Sequence, residues 1–213
     1  MIAVIKGDIT ASRKLKDQSV WQVPLKKLLS GWGTAPADWE IVWGDSFQLE
    51  ADPETVLQKA ITIKALLKSL PPEKNNKKKT TLDARMAIGI GEKDFAAPRI
   101  SESNGPAFIR AAEKFDKLKK ERTSMAIQSP WEDFDEEINL YLKLAGNFMD
   151  NWSVSSAELV LAKIAHPGAT QEEIGKMLGI KQNSVSGRWN RAKLDEILEI
   201  EKMYKKKLIH LRG

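Results

Sequence analysis

The feature that most constrains the fold is a change of period at Ser129-Pro130. Before it, short β-branched or alternating runs take turns with helical spacings; after it, every apolar pattern is helical. The chain therefore reads as an α+β unit over residues 1–128 followed by an all-α unit over residues 129–213. Residues 2–5 are a strand, stopped by Gly7-Asp8. Val20, Trp21, Leu25, Leu28 and Leu29 share one helix face, which Gly31 and Gly33 end. Residues 39–43, the Gly44-Asp45 turn and residues 46–50 make a hairpin. Asp52-Pro53 opens a helix whose apolar face runs from Val56 to Leu67, and Pro71-Pro72 stops it. A strand over 85–90, a helix over 106–120 and a strand over 124–127 complete the order β-α-β-β-α-β-α-β. That order implies a ferredoxin-like sandwich. Helices are expected next over 133–149, 155–165 and 170–178, and one long helix from Asn183 to about Leu208.

Composition narrows the function classes. No apolar run reaches 18 residues, so no membrane-spanning helix is expected, and the apolar stretch Ile2–Ile5 before Lys6 is too short for a secretory segment. Cysteine is absent, which excludes disulfides, thiol catalysis and Cys-based zinc sites and points to a reducing cytoplasm. His166 and His210 are too few for a His-rich metal site, and His166, before Pro167-Gly168, reads as a helix-end residue. The net charge is +5, and residues 1–128 hold 22 Lys and Arg against 16 Asp and Glu, while residues 129–213 hold 12 against 13. Part of the excess is the Lys77–Lys79 run in a polar segment over 71–82, read as a solvated loop. The trough in the second half is interrupted by residues 181–193, with four basic residues and no acid. Trp21, Trp32, Trp39 and Trp43 read as core or sheet-covering residues.

The sharpest local pattern runs from Thr170 to Arg191. Thr170 and Glu173 form a capping box, and Ile174, Met177 and Leu178 give the short helix one apolar face. Gly175 is small where two helices cross closely, and Gly179 sits where the chain stops and reverses. Asn183 or Ser184 is expected to cap the next helix, whose Val185 and Trp189 point inward. Lys181, Gln182, Asn183, Ser184, Ser186, Arg188, Asn190 and Arg191 are left facing outward. Amides and hydroxyls at a helix start suit base edges, and cations further along suit phosphates. The segment resembles the helix-turn-helix of bacterial transcription regulators, which implies double-stranded DNA as partner. Gly187, inside the second helix, costs about 1 kcal/mol relative to alanine.

In the first half, Asp8 and Asp45 each follow a glycine at a strand end. Two carboxylates meeting at one sheet edge can hold Mg²⁺; equally, Gly-Asp pairs make turns. The runs GDITASRK, GDSFQLE, RMAIGIGE and SNGPAFIRAAEKFDKLK resemble, in that order, the SatD family of small bacterial proteins, which also carry a helix-turn-helix near the C-terminus. More distantly they are similar to class III nucleotidyl cyclases. That resemblance implies a cyclase-like sandwich in which Asp8 and Asp45 bind Mg or Mn with a nucleotide. The Asn and Arg that such cyclases use on the following helix fall on Phe108 and Ala112, which cannot orient a ribose or stabilise charge on phosphate. Asn104 and Arg110 are out of register. Gly89-x-Gly91 lacks the rest of a dinucleotide fingerprint.

Together these features lead to a DNA-binding transcriptional regulator, with a first half that senses a nucleotide or other ligand without catalysis. The alternative is a metal-dependent nucleotidyl cyclase or related nucleotidyl-transfer enzyme. Beyond Leu194, an apolar stripe of Leu194, Ile197, Leu198, Met203, Tyr204 and Leu208 is expected to pack either on the 133–149 helix or on a second copy of the chain, giving a homodimer.

Overall fold

A computed structural model describes residues 1–42, 44–71 and 81–212. Lys77–Lys79 and Trp43 lie outside the described residues. Five strands form one mixed sheet in the order β2-β3-β1-β4-β5: β1 (Ile2–Thr10), β2 (Trp39–Val42), β3 (Ser46–Ala51), β4 (Asp83–Gly91) and β5 (Met125–Gln128). β1 runs antiparallel to both β3 and β4, the β2–β3 hairpin is antiparallel, and β5 joins β4 in parallel. The first four strands thus follow the split β-α-β order expected from the sequence, with one parallel strand added.

Strand alternation sorts the side chains. Ala3, Ile5 and Ile9 of β1 share a buried face with Phe47, Leu49, Met86, Ile88 and Ile127, under α1 (Ser19–Ser30) and α2 (Val56–Ser69). Trp21 and Trp39 belong to this core. Val4, Lys6 and Asp8 lie on the opposite face, where α3 (Pro106–Glu121) covers β4 and neighbouring β1. Gly89 has a packing reason. A Cβ there would sit 2.1 Å from the Ala107 carbonyl, so helix and strand come together only over glycine.

The change of element type at Ser129-Pro130 is as expected, but the apolar core continues across it. α2 is buried almost all round, and its outer side meets α5 (Val154–Ala165) and α8 (Leu194–Arg212). Phe134, Ile138 and Leu142 of α4 (Glu132–Met149) belong to the same buried cluster as the sheet residues. Polar ties cross the same line. Lys64 Nζ lies 2.7 Å from Asp150, Lys68 Nζ donates to the Asp150 carbonyl at 2.5 Å, and the Tyr204 hydroxyl donates to the Pro53 carbonyl at 2.6 Å, while Asp83 of the first half lies 2.6 Å from Lys64 and 2.9 Å from Lys68. Lys64 and Tyr204 are fully buried, and burial pushes the Tyr204 hydroxyl pKa well above its ordinary value.

One expectation is corrected here. The long helix from Asn183 is two helices, α7 (Gln182–Ala192) and α8, separated by Lys193 in the left-handed conformation (φ 55°). The buried indole of Trp152 donates to the Ala192 carbonyl at 2.9 Å and so takes an acceptor at the break. The stripe on α8 is also spent within the chain: Leu194, Ile197, Tyr204 and Leu208 are buried, and Met203 alone of its large members is exposed. A second copy therefore finds little of that stripe to cover.

Candidate functional sites

α5, α6 (Gln171–Leu178) and α7 pack together, with Ile174, Val185 and Trp189 inward as the spacing required. The Thr170–Glu173 capping box is formed, and Gly179 takes the left-handed conformation (φ 65°) that reverses the chain. Gly175 is needed for the crossing, since a Cβ there would lie 2.8 Å from the Ile180 carbonyl. α7 starts one residue earlier than expected. Lys181 is its N-cap, with no side-chain cap, so Asn183 and Ser184 are free of that task.

The outward face of α7 carries Gln182, Asn183, Ser184, Asn190 and Arg191, all exposed, beside Lys181 and half-buried Ser186. Arg188 departs from the expected face. It is half-buried, its guanidinium 3.3 Å from Glu158 and 3.4 Å from the Ser155 carbonyl, so it ties α7 to α5. Sequence spacing missed this because Glu158 lies on another helix. Outward-facing amides and hydroxyls with Lys181 at the helix start, and Arg191 in its last turn, can hydrogen-bond base edges and phosphates. His166 follows α5 as its exposed end residue, as expected.

Asp8 and Asp45 meet at one end of the sheet. The register sets Asp8 opposite Ser46, and the Ile9 amide donates to the Asp45 carbonyl at 2.8 Å. Their carboxylates, however, are held by residues of this chain. Arg85, the cross-strand partner of Asp8 on β4, donates from Nε to Asp8 at 3.0 Å and from Nη2 to its other oxygen. Asp45 accepts from Ser12 Oγ at 3.1 Å and from Arg13 Nε at 3.3 Å. The hydrogen bond to Asp8 raises the Arg85 pKa above its ordinary value, and the charges of Asp8 and Asp45 add to the effect. Among the described residues no three His, Cys, Asp or Glu come together as a metal-holding group. The donor set does not fit a resident divalent ion, because both oxygens of Asp8 already answer a guanidinium.

Phe108 and Ala112 line a cavity of about 230 Å³ on the same sheet face, between β1, β3 and α3. Asn104 also lines it, whereas Arg110 turns away and donates to the Ile90 carbonyl.

No protein-family model and no curated protein matches the sequence. Among solved structures, the active GGEEF domain of a diguanylate cyclase from Vibrio cholerae aligns at 15% identity over 62% of this chain and 83% of that one, with a TM-score of 0.41. A score of that size carries no conclusion on fold or activity. No helix among the described residues is long and apolar enough to cross a membrane.

Proposed function

We propose that the protein binds double-stranded DNA through α7 and regulates transcription, with the sheet-bearing half sensing a ligand without catalysis. One observation carries the DNA part. The N-terminal half of α7 presents Lys181, Gln182, Asn183 and Ser184 to solvent on an end without a side-chain cap, with Asn190 and Arg191 exposed further along. Helix amides and short polar side chains at such an end match base edges and phosphates, and Arg191 supplies a guanidinium for phosphate or guanine. The resemblance to the SatD family and to bacterial helix-turn-helix regulators supports this assignment, and it requires the cytoplasm of a bacterium. A homodimer through the α8 stripe is not part of the proposal, because the chain covers that stripe itself.

The convergence of Asp8 and Asp45 favours a second function, a divalent-metal-dependent nucleotidyl cyclase. Arg85, which occupies both oxygens of Asp8, and the apolar Phe108 and Ala112 in the cavity weigh against it, since the Asp8 carboxylate is already paired and Phe108 and Ala112 cannot stabilise charge on a transferring phosphoryl group. The test of the leading proposal is enrichment of bound duplexes from a random pool by the full chain. A recurring motif, lost when Gln182 and Asn183 are both replaced by Ala, is expected; recovery of unenriched sequence defeats sequence-specific regulation.

A further inference from the structure

The cavity beside Phe108 holds a polar pair that no polar group among the described residues answers. Lys6 on β1 and Gln48 on β3 are direct cross-strand partners, so their Cβ atoms stand about 5 Å apart on one sheet face. Both line the cavity, whose walls include Val4, Phe108 and Ala111. The Gln48 Oε1 atom is buried and finds no hydrogen-bond partner among the described residues. An acceptor left so costs stability, which a bound donor would recover.

Lys6 is equally unanswered by acid. Among the described residues its ammonium meets only the ring face of Phe115, 5.8 Å from the centroid. The carboxylates flanking it on β1, β2 and β3 have cations of their own. Asp8 holds Arg85, Glu50 holds Lys93 at 2.8 Å, and Glu40 holds Arg99 and the Ser101 hydroxyl. One cation and one unanswered acceptor therefore stand together in a pocket that is apolar along α3 and polar at Ser101, Ser103 and Asn104.

We propose that this cavity binds a small monocarboxylate carrying an N–H or O–H donor, such as an amino acid or a 2-hydroxy acid, with its carboxylate on Lys6 and its donor on Gln48. The proposal rests on the ligand-sensing assignment of this half and not on DNA binding. A single cation matches a single carboxylate, whereas a triphosphate calls for several. The size agrees, because about 230 Å³ lies below the usual 300–1,000 Å³ of pockets for drug-sized ligands. Turning the Gln48 amide over exchanges acceptor for donor, and the same ligand class carries both kinds of group.

Thermal melting of the full chain with each of the twenty amino acids, with lactate and glycolate, and with ATP and GTP tests this. At least one monocarboxylate is expected to give a saturable rise in Tm of about 2 °C or more, absent in Lys6→Met and in Gln48→Leu. Titration calorimetry of the same compound on both variants guards against a folding defect, which the melting temperature without ligand reports. A rise with nucleotides alone, lost in Lys6→Met, overturns the monocarboxylate while keeping the sensing half. No rise with any probe, together with Gln48→Leu melting at or above wild type, overturns both.

Discussion

Asp8 and Asp45 at the hairpin end of the sheet, and the polar residues of α7, are both clusters of chemically capable side chains, yet the chain treats them oppositely. At the sheet end, Arg85, Ser12 and Arg13 answer the two carboxylates, and each charge is matched from within. On α7, Arg188 is tied to Glu158, while Gln182, Asn183, Ser184, Asn190 and Arg191 stay exposed. Internal pairing of polar groups builds the fold; polar groups turned outward without need of the fold are available to a partner. The sheet-end cluster accordingly belongs with the buried ties of Lys64 and Lys68, and the α7 face is the one we propose for recognition.

That contrast is breakable, beginning where the effect is largest. Asp83→Ala should destabilise the fold by about 3 kcal/mol, because it strips a carboxylate from two buried lysines; urea unfolding measures it, and a loss below about 1 kcal/mol would mean the lysines find other partners. Asp8→Asn should cost about 1–2 kcal/mol through the lost charge-assisted bonds to Arg85. In the same melts, Mg²⁺ or Mn²⁺ should leave wild type unmoved. A metal-dependent rise that Asp45→Ala removes would turn the sheet end from a structural tie into a metal site. The smallest effect concerns pH. Burial raises the pKa of Asp135, one of whose oxygens is buried without a partner while the other accepts from the Ser129 amide at 2.8 Å. The folded state therefore binds that proton more tightly than the unfolded chain, so the ionised group costs stability at neutral pH and the cost fades as pH falls through the raised value. Asp135→Asn should melt about 1–2 °C above wild type at pH 7, the gap closing in acid; a gap that widens in acid would reverse the sign.

Local signals in the sequence were enough for much of this. The capping box at Thr170, the reversal at Gly179 and the inward Val185 and Trp189 are set by neighbours within a few residues, and all appear where spacing puts them. The strand order followed equally from alternation and turns. What spacing does not carry is partnership between distant segments. Arg85 lies 77 residues from Asp8 and meets it only through the β1–β4 register, and Glu158 meets Arg188 only through helix packing. The break at Lys193 depends on an indole 40 residues from Ala192. One missed signal was available. Ala60, Ile61, Ile63 and residues 65–67 of α2 spread apolar side chains over most of its circumference, which marks a helix covered on both sides and so a core that runs on past residue 128.

The salt dependence of duplex binding tests the central claim most directly. Fluorescence anisotropy with a labelled duplex, from low to moderate salt, gives the slope of log Kd against log salt for wild type, Arg191→Ala and Arg188→Ala. We expect a salt-sensitive wild type, a slope reduced by about one phosphate contact in Arg191→Ala, and an unchanged slope in Arg188→Ala, whose guanidinium is held by Glu158. Wild-type binding that is undetectable or indifferent to salt, or a slope that falls for Arg188→Ala and not for Arg191→Ala, would contradict the assignment of the α7 face to DNA.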